Sequence, residues 1–497
     1  DGYCDLLCAD GPGPYLHLYF GDSTGYTTTR CRLFPISYGG ESDMADLNCD
    51  GYAELINSGW HAGASIYWGS DSGPTPGNRT NLPANGSEAV MASDLDQDGY
   101  MDLIFPGEDG PVAIYWGSAQ GYSTSRRLEI PTGYGMAHNA AVADLNKDGY
   151  RDLVVCCFEE TSRQPVIYFG PNHTYHIEWL NYLSSGSYGP HGITVADLDS
   201  NGWLDIVYTG YDYITQSYIY FGSDSGFSTS RRTIISPNRS YGGSAAYDFN
   251  EDGRLDLLFF RGNGNYSGLR KPIIYLNTGT PPYFTDSNIQ EIGPFDMRLS
   301  GGMVADFNQD GYTDIFCNFF DHASIPPHPS VVLWGPDWTS YDTLTVNEDH
   351  HGMFREPGNV YDRKYREEYL SSAFDAGAEI TWQTISWDDS TPGGSSIEMA
   401  VRTGNTPTPD SSWSGWLRRG NGDSIPDSLT SRYIQYRATF RYETPAVLPM
   451  LFEVRVDYGP GLTHDVGPVA ILSPTGTVDS GTVHIPCAVV RNFGNVE

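Results

Sequence analysis

Six stretches of this 497-residue chain place an oxygen-bearing side chain at every second position, with a glycine after the third. The first holds Asp46, Asn48 and Asp50 and is closed by Glu54; the second holds Asp94, Asp96 and Asp98, closed by Asp102. Asp144, Asn146 and Asp148 with Asp152, and Asp197, Asp199 and Asn201 with Asp205, form the third and fourth. Asp248, Asn250 and Asp252 with Asp256, and Asp306, Asn308 and Asp310 with Asp314, complete the set. Carboxylates crowded this closely repel one another unless a cation sits among them. Alternate residues at loop positions 1, 3 and 5 can turn their oxygens toward one centre, and the glycine at position 6 permits the sharp turn. Position 7 (Tyr52, Tyr100, Tyr150, Trp203, Arg254, Tyr312) offers a backbone carbonyl, and position 9 a carboxylate able to bind through both oxygens. Oxygen ligands in that number, without sulfur or imidazole, favour Ca2+ over Mg2+, Zn2+ or Cu2+. The plainer alternative is a set of Asp-rich surface turns without metal. Asn201 removes one charge from its loop. The chain also opens on half a loop, DGYCDLL, which retains only Asp1 and Asp5. Six structural ions are therefore expected, and a seventh only if that half-loop holds one.

The elements that position these loops repeat with them. Loop starts are 48, 50, 53, 51 and 58 residues apart. Each loop leads into a short apolar strand, then into a second strand ending in an aromatic residue and glycine: Phe20-Gly21, Trp68-Gly69, Trp116-Gly117, Phe169-Gly170, Phe221-Gly222 and Trp334-Gly335. The sixth copy reads Tyr275-Leu276-Asn277 instead. A polar turn, a third strand and a Gly-rich stretch lead to the strand before the next loop. Four short strands per unit of about fifty residues is the make-up of a β-propeller blade.

The D-x-[DN]-x-[DN]-G-x-x-[DE] loop followed by [FW]-G resembles the FG-GAP/VCBS repeat of integrin alpha chains and of many bacterial secreted and surface proteins. The resemblance spans roughly Asp1 to Asp362. It implies a seven-bladed propeller that binds calcium. It implies no single activity, because adhesion, assembly and polysaccharide cleavage all use this scaffold. The first blade lacks the strand before its loop, and GNVYDR, Gly358 to Arg363, is read as the strand that closes the ring, removing two exposed edges. The alternative is that residues upstream of Asp1 supply it.

Beyond the repeats the pattern changes to apolar/polar alternation, in Ile380–Trp387, Ser396–Gly404, Ser431–Phe440 and Leu451–Gly459. This reads as an antiparallel β-sandwich, similar at fold level to accessory modules of secreted bacterial proteins. Trp413 and Trp416 are its candidate glycan contacts, packing on the sandwich being the alternative. The last stretch resembles the start of an immunoglobulin-like, cell-adhesion-related bacterial domain and holds about three strands. The expected fold is thus all-β: a seven-bladed β-propeller over 1–365, a β-sandwich over 366–460 and an incomplete immunoglobulin-like domain over 461–497. Starting inside a loop and stopping inside a domain, the chain is expected to be a segment of a longer polypeptide.

Lys+Arg 28 against Asp+Glu 62 sets the net charge at −34, which argues against nucleic acid or an anionic membrane as partner. No apolar run reaches the roughly 20 residues of a membrane span. None of the eight cysteines forms a C-x-x-C pair, and Cys8, Cys156, Cys157 and Cys317 lie in apolar strands, where free buried thiols are expected. Glycosylation sequons stand at Asn78, Asn85, Asn172, Asn238 and Asn265. No nucleophile elbow, zinc-protease helix or phosphate loop is present, and no catalytic residue is assigned. The expected role is a non-enzymatic, extracellular or cell-surface, calcium-stabilised scaffold for adhesion or assembly. It would partner itself, other surface proteins or glycans, and serve as the repeating subunit of an extracellular fibre. A polysaccharide-active lyase or glycosidase, built from Tyr, His and Arg on one propeller face, is the rival reading. A monomeric glycan-binding module is the third.

Overall fold

A computed structural model describes residues 3–492, leaving out 10–12, 132–136, 158–165, 171–175, 180–189, 211–214, 263–268, 320–328, 345–364, 392–394, 443–448, 460–465, 474–486 and some one- or two-residue stretches within loops. The expected closing strand at 358–363 therefore lies outside the described residues, as do Asp1, Cys49, Asp148, Asn85, Asn172 and Asn265. Among the described residues the protein is all-β, with a 3-10 turn at Thr124–Arg126 and no α-helix. No helix is long and apolar enough to cross a membrane. The chain divides into two compact units, one made chiefly of Asp1–Arg363 and the other chiefly of Lys364–Ser480.

The first unit holds seven small antiparallel sheets, each a simple meander in which successive strands are neighbours. Six have four strands; the first has three, Leu6–Ala9, Tyr15–Tyr19 and Cys31–Pro35. The fifth shows the pattern in full: Pro190–Ala196, Asp205–Gly210, Ser217–Tyr220 and Arg232–Ile235. Strand propensity alone does not explain runs such as Asp102-Leu-Ile-Phe105, buried at every position. Packing does. In the second sheet Leu55 faces the first sheet's Leu18 and Phe34, while its neighbour Ile56 faces the third sheet's Leu103 and Phe105. In turn Ile104 packs against Leu153 and Val155 of the fourth sheet, and Val154 against Ile206 of the fifth. Side chains alternate between faces with period two, and both faces here meet another sheet, so every position is buried.

The stack closes on itself. Leu6, Cys8, Tyr19 and Tyr26 of the first sheet share a core with Met303, Phe316, Val332 and Leu344 of the seventh. Tyr26 lies parallel to Trp334 at 6.3 Å, and its backbone N–H donates to Asp342 at 3.0 Å. Side-chain packing of the first sheet against the last thus joins the two ends of a β-propeller.

Neighbouring sheets are also tied by tyrosines. The hydroxyl of Tyr115 donates to the carbonyl of Pro83 in the preceding sheet at 2.6 Å, that of Tyr168 to Pro131 at 3.1 Å, and that of Tyr67 to Pro35. Tyr115→Phe keeps the buried ring and leaves the carbonyl without this donor. The expected loss is about 1–2 kcal/mol in urea unfolding, with an unchanged midpoint as the contrary result.

In the second unit a five-stranded sheet orders Tyr365–Leu370, Ser431–Tyr442, Ser395–Gly404 and Leu417–Arg419, with Phe374–Ile380 also paired to Ser431–Tyr442. A two-stranded sheet, Trp382–Ser390 with Met450–Tyr458, shares its core. Trp382 sits at the centre, 1% exposed, between the rings of Phe374 and Tyr458, with its indole N–H donating to Ser431 at 2.9 Å. Val466–Ser473 and Cys487–Asn492 form a further pair. Cys8, Cys156 and Cys317 are buried; the side chains of Cys157 and Cys487 are not among those described.

Candidate metal centre

The acidic loops join the first and second strands of their sheets. Position 9 opens the second strand and pairs across the loop with the last residue of the first, as in Ser93 with Asp102 and Ala196 with Asp205. This carboxylate is buried in each described copy: Glu54, Asp152, Asp205, Asp256 and Asp314 at 0%, Asp102 at 1% and Asp5 at 2%.

Two backbone groups hold it. In Asp102 one oxygen accepts the N–H of Leu95 and the other the N–H of Gly117, both at 2.8 Å. Glu54 takes Leu47 and Gly69, Asp152 takes Leu145 and Gly170, and Asp205 takes Leu198 and Gly222. Asp256 takes Phe249 and Asn277, and Asp314 takes Phe307 and Gly335. Asp5 receives Gly21 at 3.0 Å. The same carboxylate thus clamps the loop to the end of the third strand in the six four-stranded sheets, and Asp5 takes the corresponding glycine in the first.

Position 1 organises the turn itself. Asp94 accepts Asp98 N–H at 3.1 Å on one oxygen and Gly99 N–H at 3.0 Å on the other. Asp46 and Asp197 accept the matching pairs. Each of these oxygens keeps a second lone pair, so the bonds orient the carboxylates without exhausting them.

Two loops gather three carboxylates most tightly. One oxygen each from Asp94, Asp96 and Asp102 lies within 4.8 Å of the others, and the same holds for Asp197, Asp199 and Asp205. Burial pushes the Asp102 carboxyl up to about 8, with Asp96 and Asp94 adding repulsion against the favourable N–H bonds. Burial also raises Glu54 and Asp205 to about 8, and Asp94, Asp197, Asp256 and Asp314 to about 6. The groups raised to about 8 stay largely protonated at neutral pH unless positive charge compensates them, and those raised to about 6 ionise there against the cost of burial. An all-oxygen, buried, anionic donor set fits a hard divalent cation, and Ca2+ tolerates its uneven geometry better than Mg2+. Positions 1, 3, 5 and 9 with the position 7 carbonyl would hold the ion in each loop.

Departures are local. The Arg254 side chain forms an ion pair with Asp252 inside its own loop and donates to the Asn277 carbonyl at 3.2 Å, so this loop carries a cation of its own. Lys147 has its ammonium 4.0 Å from the centroid of the Trp203 ring, and its charge lowers the Asp197 carboxyl against the dominant effect of burial. Asp144, Asn146 and Tyr150 are described without Asp148, so that loop's ligand geometry is incomplete.

The pH dependence has a definite sign. These carboxyls titrate higher in the folded chain than their ordinary values near 3.8 to 4.5. Without metal their contribution to stability is present below those values and is lost as pH rises toward 8. Bound calcium replaces the protons, so the gap between melting midpoints in calcium and in EGTA should widen from pH 5 to pH 8. Differential scanning fluorimetry at matched ionic strength checks it; a gap constant with pH is the contrary result.

The sequence pattern marked both the loop and the glycine after the aromatic residue, but not the bond that joins them. Gly117 must be glycine because a Cβ there would lie 2.3 Å from the Met101 carbonyl; at Gly222 it would lie 2.3 Å from Leu204 O. That carbonyl, at loop position 8, is itself bonded, by Tyr122 at 2.6 Å, Tyr26 (to Cys4) at 2.8 Å and Trp338 (to Thr313) at 2.8 Å. In the sixth sheet Asn277 does both jobs: its N–H serves Asp256 and its side-chain amide bonds Leu255 O at 3.0 Å. Among the other predicted sites, Trp413 is 7% exposed, stacked on Tyr433 and bonded to Thr406, so its ring is turned inward. Trp416 is half-buried. Asn78 is exposed, and Asn238 occupies a left-handed backbone position at φ 65°.

No curated protein sequence matches the chain. Among solved structures it is similar to BBS1N in complex with ARL6DN, at 13% identity over 73% of this chain and 92% of that one, with a TM-score of 0.44. It is also similar to a chain of the nidogen/laminin complex, at 13% identity over 55% and 88%, TM-score 0.35. A third likeness is to the V. cholerae biofilm matrix protein Bap1, at 9% identity over 94% and 74%, TM-score 0.29. Residues 94–155 and 197–259, which contain both of the tightest carboxylate clusters, match the family described as FG-GAP-like repeat. The first unit is a β-propeller that carries FG-GAP-like repeats.

Proposed function

We propose that this chain is an extracellular, calcium-stabilised scaffold for adhesion or assembly, a seven-bladed propeller followed by a β-sandwich and part of an immunoglobulin-like module. The observation that carries the reading is the clamp repeated in six sheets: a buried carboxylate bonded to two backbone N–H groups beside further acidic ligands. Such loops stiffen a surface and do no bond-making chemistry. Oxygens already engaged by backbone donors favour modest calcium affinity, suited to extracellular modules working at about 10⁻⁴–10⁻³ M. Each ion would neutralise local repulsion at a sheet edge and leave the sheets free to present partner-binding loops. Negative-stain electron microscopy of the full chain, in calcium and after EGTA, tests the assembly role. Ordered fibres in calcium support it; isolated particles under both conditions refute it.

A second reading, an enzyme acting on polysaccharide, draws on a polar cluster in the same unit. His138 and His191 occupy β-bulges six residues before their loops, both buried, with ring centroids 5.2 Å apart. Beside His138 in the strand, Asn139 donates to Glu41 at 2.8 Å. Bulges often re-aim side chains at functional sites. Product release from acidic and neutral polysaccharides, abolished by His138→Ala, would favour this reading over the first.

A further inference from the structure

The loop of the fifth sheet, Asp197 to Asp205, is bracketed by both neighbouring sheets. From the sixth, the Asn277 amide donates to the Leu198 carbonyl at 2.7 Å, and the Tyr283 ring packs on Phe221 with centroids 5.1 Å apart. Both of these groups are uncharged. From the fourth sheet comes a cation. Lys147 stands at position 4 of its own loop, yet its ammonium lies 4.0 Å from the ring centroid of Trp203, at position 7 of the next. The backbone at position 4 is left-handed in both loops, φ 60° at Lys147 and 58° at Ser200, so loop geometry sets where this side chain leaves the chain. Trp203 is held in turn, its N–H donating to Asn201 Oδ1 at 2.7 Å. The ring face anchors the ammonium and keeps it beside the loop.

The charges within its reach are those of a proposed calcium site. One oxygen each from Asp197, Asp199 and Asp205 lies within 4.8 Å of the others. Burial raises the Asp197 carboxyl, and the Lys147 charge acts against that rise. Asn201 also leaves this loop one acid short of the third sheet's, where Asp98 holds the same position. A fixed positive charge favours the empty, anionic loop and repels a second cation entering it, both through the same Coulomb interaction.

We propose that Lys147 is a tethered competitor for the calcium site of the fifth sheet, steadying the loop when it is empty and lowering its affinity for the ion. A residue of one sheet thereby sets the calcium concentration at which the next sheet's loop fills. The inference rests on the calcium reading and deepens it, by naming the side chain that grades one site against the rest. Position 4 supplies no ligand oxygen in the proposed set, so changing Lys147 leaves every ligand in place.

Terbium luminescence of the full chain tests it, since Tb3+ is a hard cation that takes oxygen ligands as Ca2+ does. Trp203 is the tryptophan at position 7, where the other complete loops carry Tyr or Arg, so emission excited through tryptophan reports chiefly on this loop. Trp203→Tyr removes that share of the signal and thereby identifies it. Lys147→Met keeps an apolar stem against the ring and removes the charge; the Tb3+ midpoint of the Trp203 signal should fall roughly threefold to tenfold. Lys147→Arg keeps the charge and should leave the midpoint within about twofold of the original. A midpoint unchanged or raised in Lys147→Met overturns the proposal and leaves the calcium reading standing. A chain that binds neither Tb3+ nor, in equilibrium dialysis, Ca2+ overturns both.

Discussion

Excess EGTA is expected to lower the thermal midpoint of the repeat unit by about 15 °C, with added calcium restoring it and equimolar magnesium failing to do so. The size follows from linkage. A site held at a hundredfold excess over its dissociation constant contributes about 2.7 kcal/mol, so six sites contribute roughly 16 kcal/mol if the ring unfolds as one. Each kilocalorie moves the midpoint of a unit this large by about 1 °C or somewhat more. The structure favours cooperative loss, since six loops are bonded to their own third strands and shared buried clusters join neighbouring sheets, the first and seventh included. Magnesium should fail because a buried set of carboxylates already tied to backbone donors cannot readily contract into its stricter octahedron. A melting curve unchanged by EGTA would falsify the calcium reading and leave the loops as Asp-rich turns.

Gly117→Ala is the single substitution expected to do most damage, about 3–5 kcal/mol in chemical unfolding. Its Cβ would lie 2.3 Å from the Met101 carbonyl, a backbone atom that cannot swing aside. The strand must shift, and overpacking of this kind costs about 1–3 kcal/mol. The shift also breaks the N–H bond from Gly117 to the buried Asp102 carboxylate, worth about 1.5–3 kcal/mol. Calcium affinity of that loop should fall with it, because the same carboxylate is a proposed ligand. Gly77→Ala is the control: nothing lies within 4 Å of a Cβ there, and its effect should stay within about 0.5 kcal/mol. Equal losses for the two variants would show that the clamp is not what the glycine protects.

The two glycines differ in what a linear reading can see. Gly117 follows an aromatic residue in a repeated pattern, so the sequence marks it, but not the reason. The reason is a bond to a carboxylate fifteen residues earlier and a carbonyl beside it, both set by sheet register. Asn277 makes the same point from the other side. By pattern it is a departure, yet its amide supplies the N–H that the glycines supply and adds a bond to the position 8 carbonyl. Trp413 and Trp416 look alike in SSWSGW, and only packing separates a ring buried against Tyr433 from one stacked with Arg402 and Arg437.

By itself, then, the sequence determined what is local and periodic. The acidic loop, its glycine and its spacing are properties of nine adjacent residues repeated every fifty. Alternating or fully apolar runs bounded by turn residues specify strands without reference to anything distant. The tertiary structure alone decided which distant groups meet. It packed the first sheet on the seventh, through Tyr26 and Trp334, more than 300 residues apart. It buried the position 9 carboxylates and so raised them above their ordinary range. Short-range periodicity is written in residue order, whereas burial and charge clustering depend on strand register, because a shift of one residue would turn every one of these side chains to the opposite face.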